Sequence, residues 1–181
     1  MTFVVGLSGH RGSGKTWLAN ELASTRGFAQ ASFGDVVRSE ALRLGLVPTM
    51  EVLQDLGGQL IHEWGTPGLC RRALSSVPPD SDVVIEGIRH AEVLHALRNL
   101  AAPRQFVFVF VDLDVQARRR RLQARDGDDG LTRDAHLVEA EVDRLKALAN
   151  LVVDGATPQS PGLVIQHLVA LDPSWRPSLT S

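Results

Sequence analysis

The chain contains no tyrosine, a single cysteine and no long apolar run. One thiol, Cys70, excludes an intrachain disulfide and fits a reducing compartment, and no Cys/His grouping has the spacing of a structural zinc site. No stretch approaches the roughly 18 apolar residues that a membrane-spanning helix needs. No Lys or Arg precedes the first short apolar segment, so the expected location is cytoplasmic, away from membranes. Net charge is also small: 19 basic against 21 acidic residues leave −2, which provides no bulk attraction to nucleic acid. With no tyrosine to interleave among basic residues, neither a base-stacking surface nor a nucleic-acid partner is expected. What is present, 181 residues at 44% hydrophobic and 22% charged, is the composition of one globular domain.

Short apolar runs alternate with helix-period segments. Phe3 to Leu7 precedes a helix from Thr16, and Ala29 to Phe33 precedes a helix through Leu44. Val83 to Glu86, Phe106 to Asp112 and Leu151 to Asp154 follow, separated by helical sequence. Such alternation predicts a parallel sheet covered by helices on both faces. Thr66-Pro67 and Ser160-Pro161 each pair a capping hydroxyl with proline and predict helix starts. Cys70 falls in helical sequence, where a small buried residue is expected rather than a catalytic thiol. Asp126 to Gly130 reads as a mobile loop between two helices. Residues 1–172 are expected to form one domain and 173–181 a frayed tail, with Trp175 able to dock on the body.

The run Gly9-His10-Arg11-Gly12-Ser13-Gly14-Lys15-Thr16 fits G-x-x-x-x-G-K-[ST] at every position and lies between a predicted strand and a predicted helix. Its glycines let successive backbone N–H groups point inward, and the helix that follows aims its positive end at the same place. An anion of triphosphate size belongs there. Lys15 adds a point charge near the β- and γ-phosphates, and the Thr16 hydroxyl ligates the Mg²⁺ that accompanies ATP or GTP. The sequence suggests no role for the side chains of His10 and Arg11.

In an open parallel sheet, ligands collect beyond the carboxyl ends of the strands, so the residues just after each apolar run are the candidate site residues. Two acids end such runs, Glu86 and Asp112. Glu86 is favoured as the carboxylate that holds water on Mg²⁺, whereas Asp112 and Asp114 serve equally well as helix caps. Arg38 and Arg89 arise from different strand ends and together read as a clamp on a second, acceptor phosphate. Arg118, Arg121 and Arg125, at i, i+3 and i+7, share one helix face and suit neutralisation of a transferring phosphoryl group. Arg119 and Arg120 are free to pair with Glu139, Glu141 and Asp143.

The P-loop, Ser32-x-Gly34-Asp35-x-x-Arg38, Glu86-Gly87-x-Arg89 and Arg118-x-x-Arg121-x-x-x-Arg125 together resemble the nucleoside monophosphate kinase group of P-loop phosphotransferases. That group includes adenylate kinase-like proteins, phage-type deoxynucleoside monophosphate kinases and dephospho-CoA kinase. The likeness runs from Phe3 to about Gly155. It implies a three-layer α/β sandwich with a five-stranded parallel sheet, helices on both faces and a short arginine-rich lid at about 118–133. It implies that Gly9, Gly12, Ser13, Gly14, Lys15 and Thr16 hold ATP phosphates, and that Asp154 and Gly155 lie near the adenine. Arg38 and Arg89 would hold the acceptor's phosphate beside Ser32. A helix from Val36 through Glu63, within an arm at about 36–76, would carry Gln54 to the acceptor base. Arg118 and Arg125 would stabilise the transferring phosphoryl. The chain departs from the group in having Glu86 where Asp is more usual, Asp154 where many members have Asn, and Ile88 in place of the proline before the acceptor arginine.

The expected function is therefore ATP- and Mg²⁺-dependent transfer of a phosphoryl group to a (deoxy)nucleoside monophosphate, by a monomer or homodimer. A phosphate acceptor needs little base catalysis, whereas a hydroxyl acceptor, as in dephospho-CoA, needs a carboxylate to take its proton, and Asp35 stands where that base would be. A P-loop NTPase or nucleotide-binding regulator without an acceptor is the alternative from another class.

Overall fold

A computed structural model describes residues 2–126 and 141–177. Five strands, β1 (Phe3–Ser8), β2 (Ala29–Ser32), β3 (Val83–Glu86), β4 (Gln105–Asp112) and β5 (Leu151–Asp154), form one sheet in the order β2-β3-β1-β4-β5. Every neighbouring pair is parallel. The helices are α1 (Lys15–Arg26), α2 (Phe33–Arg43), α3 (Met50–Ser75), α4 (Ala91–Leu100), α5 (Val115–Asp126), a helical segment α6 over residues 141–146, and α7 (Ser160–Leu171). The strands lie within a residue of the predicted runs, because parallel strands buried on both faces must be apolar at nearly every position.

Alternation along each strand divides the core. Val4, Ile85, Phe108 and Phe110 face α3, α4 and α6, where Cys70, Ala73, Leu94, Leu97, Val142 and Leu145 pack. Their sequence neighbours Val5, Leu7, Val84, Val109 and Val111 face α1 and α7 through Leu18, Leu22, Val164 and Leu168. Two cores on one sheet make the three-layer sandwich. Cys70 is fully buried and unpaired in a disulfide, and burial pushes its thiol up to about 11; it is a core residue and not a nucleophile. No helix among the described residues is long and apolar enough to cross a membrane.

Two local expectations change and one holds. The helix expected from Val36 through Glu63 is two helices, because α2 ends in a Schellman turn. Gly45 is left-handed at φ 72°, its N–H donates to Leu42 O, and Leu46 N–H donates to Ala41 O. The chain restarts at Thr49, whose hydroxyl accepts from Val52 N–H to cap α3. A small third core of Val37, Ala41, Leu56 and Leu60 joins α2 to α3. Within α3 the helix breaks at Gly65, at φ 66° and ψ 160°, and restarts at Thr66-Pro67, as that pair predicts. Ser160 does not cap α7; it is the first helical residue, and its hydroxyl donates to Asp154 O at 2.5 Å.

The start of the expected tail is docked rather than frayed. Trp175 is buried, packs edge-on against Phe3 and Phe28, and donates its indole N–H to Asp82 Oδ2 at 2.9 Å. Asp82 Oδ1 accepts from Phe3 N–H at 2.7 Å, so one carboxylate fastens both the first strand and the tail. Trp175→Phe keeps most of the apolar contact and removes the hydrogen bond, so a loss of about 2 kcal/mol is expected. It will be read as a lower urea midpoint at unchanged slope. An unmoved midpoint would show that the tail does not anchor the fold. Residues 178–181 lie outside the described residues.

Candidate functional site

Register collects the polar strand ends at one edge. Leu7 pairs with Glu86, Ser32 with Glu86, Ser8 with Phe110, and Asp112 with Asp154. The central strand β1 delivers Gly9 to Thr16 there, where connections run to β2 and β3 on one side and to β4 and β5 on the other. That is a topological switch point, where open α/β sheets bind ligands.

The loop is shaped by backbone that tolerates no side chain. Gly9, Gly12 and Gly14 have φ of 143°, 79° and 101°. A Cβ on Gly9 would stand 2.2 Å from Val111 O, and one on Gly14 would stand 2.8 Å from Gly155 O. Ser13 N–H donates to His10 O at 3.1 Å and closes the turn. Lys15 Nζ arches back over the loop and donates to Gly9 O and His10 O, both at 2.7 Å. Ser13 Oγ is fully buried and has no hydrogen-bond partner among the described residues. The first turn of α1 carries neither a side-chain cap nor an acid, leaving its N–H groups and positive end open to an anion. An orphaned buried hydroxyl, an uncapped helix end and a side-chain-free cradle fit a nucleotide's phosphates.

Thr16 Oγ1 donates to Glu86 Oε2 at 2.9 Å. The pair fits Mg²⁺, which takes few protein ligands and completes its shell with water and phosphate oxygens. Asp112 is engaged elsewhere: its Oδ2 accepts from Lys146 Nζ at 2.6 Å and its Oδ1 from Leu113 N–H. The Lys146 hydrogen bond is the largest influence holding its carboxyl below the usual range. Asp114 caps α5 by accepting from Gln116 and Ala117 N–H.

Ser32 Oγ accepts from Asp35 N–H at 3.4 Å and caps α2. Asp35 is therefore in the first turn of α2, exposed, with Arg38 one turn on. Gly87, left-handed at φ 95°, lies under Phe33 and brings the turn after β3 against the start of α2. Arg89 on that turn and Gln54 on α3 are exposed. On α5, Leu122 and Arg118 O lie against Gly12. Arg121 reaches over the loop and donates to Gly155 O at 3.2 Å. Arg118 is half-buried and Arg125 exposed. Gly155 N–H donates to Asp112 O at 2.7 Å, and Asp154 Oδ1 accepts from Ala156 N–H. The expected lid continues over 127–133, outside the described residues, as do residues 127–130 of the expected loop.

Four contacts at this edge had no counterpart in the sequence reading. Ser8, fully buried, donates to Ile88 O at 2.7 Å and ties the end of β1 to the turn bearing Arg89. Its signal was a hydroxyl at the end of an apolar run. His10 Nε2 lies 2.8 Å from Asp143 Oδ1, His90 Nδ1 bonds Glu141 Oε2, and Lys146 holds Asp112. Glu141 and Asp143 thus bond histidines, whereas the sequence left them open as partners of Arg119 and Arg120; Glu139 lies outside the described residues.

A phosphate loop at the switch point of a 2-3-1-4-5 parallel sheet defines a P-loop nucleotide-binding fold of the kinase type. The chain belongs to the AAA domain family, whose model matches residues 8–136, and to the UPF0200 proteins, one of which, from Thermococcus kodakarensis, is 31% identical over 130 residues, 70% of each chain. It is similar to a UPF0200 protein of Aeropyrum pernix, 28% identical over 83% of this chain and 82% of that one. A relative from Methanothrix thermoacetophila is 35% identical, over 54% of this chain and about half (53%) of its own length. Among solved structures, shikimate kinase from Acinetobacter baumannii superposes with a TM-score of 0.60 at 16% identity, over 94% of this chain and 93% of that one. A sugar kinase from Janibacter sp. HTCC2649 gives 0.54 at 19% identity, covering 96% of each. Identities this low establish the shared fold and not a shared substrate.

Proposed function

We propose that the protein is an ATP- and Mg²⁺-dependent phosphotransferase acting on a small-molecule acceptor, a (deoxy)nucleoside monophosphate. The observation that carries this reading is the Thr16–Glu86 hydrogen bond, which joins the phosphate loop to the turn that also bears Arg89. The donor half and an acceptor arginine then share one rigid strand end.

In this reading the N–H groups of Gly9 to Thr16, the Ser13 hydroxyl and Lys15 hold the donor phosphates, with Asp154 and Gly155 beside the adenine. Thr16 and Glu86 would hold Mg²⁺, which would supply charge neutralisation for the donor phosphates. Arg38 and Arg89 grip the acceptor's phosphate and Gln54 meets its base. Arg118, Arg121 and Arg125 stabilise charge on the transferring oxygens. Catalysis is positioning plus electrostatics.

A second reading rests on Asp35. A carboxylate in the first turn of α2 opposes a phosphate at that helix end and suits removal of a proton from a hydroxyl acceptor. ADP release from ATP and Mg²⁺ will be measured across ribo- and deoxynucleoside monophosphates and dephospho-CoA, with wild type and Asp35→Asn. Stimulation by one monophosphate, with turnover of Asp35→Asn within about threefold of wild type, is the expected result. A loss of about a hundredfold or more in Asp35→Asn, the range for a lost general base, together with stimulation by dephospho-CoA, would favour the hydroxyl acceptor. Slow release indifferent to every acceptor would overturn the kinase reading.

A further inference from the structure

The polar contacts of α6 reach the ends of three strands, the phosphate loop among them. Val142 and Leu145 are buried in the core between α6 and the sheet, which turns the polar residues of the segment toward the carboxyl edge. There Asp143 bonds His10, Lys146 bonds Asp112, and Glu141 bonds His90. Asp143 and Lys146 are three residues apart and share a face, so one helix grips the loop after β1 and the end of β4 together.

His10 is well placed to transmit that grip. It is the second residue of the phosphate loop and only 7% exposed, with its ring edge-on to Phe110 at 6.1 Å. Its carbonyl receives both Lys15 Nζ and Ser13 N–H. A carboxylate only accepts, so the imidazole donates Nε2–H to Asp143 and its ring orientation is set by that bond. Three glycines with positive φ make the loop backbone permissive. A side-chain tether at His10 restrains it before any ligand arrives.

We propose that Asp143 is a positioning residue for the donor nucleotide, acting through His10 to hold the phosphate loop in its binding shape. Loss of the tether transfers the ordering of the loop to the binding step and weakens affinity. The proposal rests on the nucleotide-binding half of the proposed function and not on the acceptor.

The test is titration calorimetry of ADP with Mg²⁺ into wild type, Asp143→Ala, His10→Ala, the double variant and Glu141→Ala, with a thermal melt of each. A charge-assisted hydrogen bond with one exposed partner sets the expected scale, an ADP affinity weaker by about five- to tenfold in each His10 or Asp143 single variant. The double variant is expected to be no weaker than the poorer single. Glu141→Ala, which breaks a different contact of the same helix, stays within twofold of wild type. Wild-type affinity in Asp143→Ala, additive losses in the double variant, or an equal loss in Glu141→Ala would each overturn the proposal, as would a lowered melt with unchanged affinity. Transfer activity is not needed, so failure of the kinase reading leaves this test intact; a wild type that binds no ADP would sink both.

Discussion

Gly155→Ala is expected to weaken nucleotide binding by about a hundredfold or more and to lower the melting temperature, although it adds one methyl group. A Cβ at this position would stand 1.6 Å from Ser13 O, 2.9 Å from Ser13 C and 3.0 Å from Val111 Cγ1. The first two atoms are backbone of the phosphate loop and have no rotamer into which to retreat. Gly155 cannot retreat either, because its N–H is bonded to Asp112 O and its carbonyl accepts from Arg121 and lies over Gly14. The loop after β5 and the phosphate loop are packed backbone on backbone, and the methyl must separate them. Overpacking of this kind costs about 3 kcal/mol, which for a domain of this size lowers the melting temperature by roughly 6–12 °C. Under the proposed function the larger effect is on binding: displacement of Ser13 and Gly14 reshapes the phosphate loop, and ADP affinity is expected to fall by two orders of magnitude or more. Gly162→Ala is the control. Nothing lies within 4 Å of its Cβ position in α7, and a helical alanine is expected to be neutral or stabilising by up to about 1 kcal/mol. Calorimetric ADP titration and a melt of both variants decide the matter; wild-type values for Gly155→Ala would disprove the packing described.

What could be read from the sequence divides by how local its cause is. The strands were legible because each is an apolar run that a doubly covered parallel sheet requires, and the phosphate loop because three glycines, Lys15 and Thr16 stand at fixed spacing after the first of them. The end of α2 was equally local: the residues placed it at Leu44, where the chain turns at Gly45, and only the family resemblance carried a single helix on to Glu63. The pairings at the site were a different matter. His10 and Asp143 are 133 residues apart, and Trp175 meets Asp82 across 93. Such partners are chosen by strand order, which brings α6 over β4 and the tail under β1. Before that order is known, an acid on α6 has nearby arginines as its obvious partners. Ser8 shows the same limit: a hydroxyl at a strand end is visible in the sequence, but its acceptor, Ile88 O, exists only once β3 lies beside β1.

Lys15→Ala is expected to reduce acceptor-stimulated ADP release by about a thousandfold or more, the scale on which a lost transition-state charge contact acts in phosphoryl and acyl transfer. Under the proposed reaction, the loss is expected to fall mainly on turnover. Lys15 Nζ is 2.7 Å from both Gly9 O and His10 O, so the ammonium is held over the mouth of the loop before a nucleotide arrives. In the proposed site most of the phosphate charge would be received by backbone N–H groups of other residues, so ADP is expected to bind with a loss of only about tenfold. Charge grows on the bridging and transferring oxygens as the bond breaks, and a fixed cation helps there more than in the ground state. The fold should survive, because Lys15 is half-buried and its side chain bonds loop carbonyls rather than core. A melt within a few degrees of wild type is therefore part of the prediction. Single-turnover rates separate the two effects: slow transfer at saturating ATP with modestly weakened ADP binding supports a lysine that acts on the transferring group. Transfer at the wild-type rate would remove Lys15 from the chemistry and leave the loop a binding site whose reaction lies elsewhere.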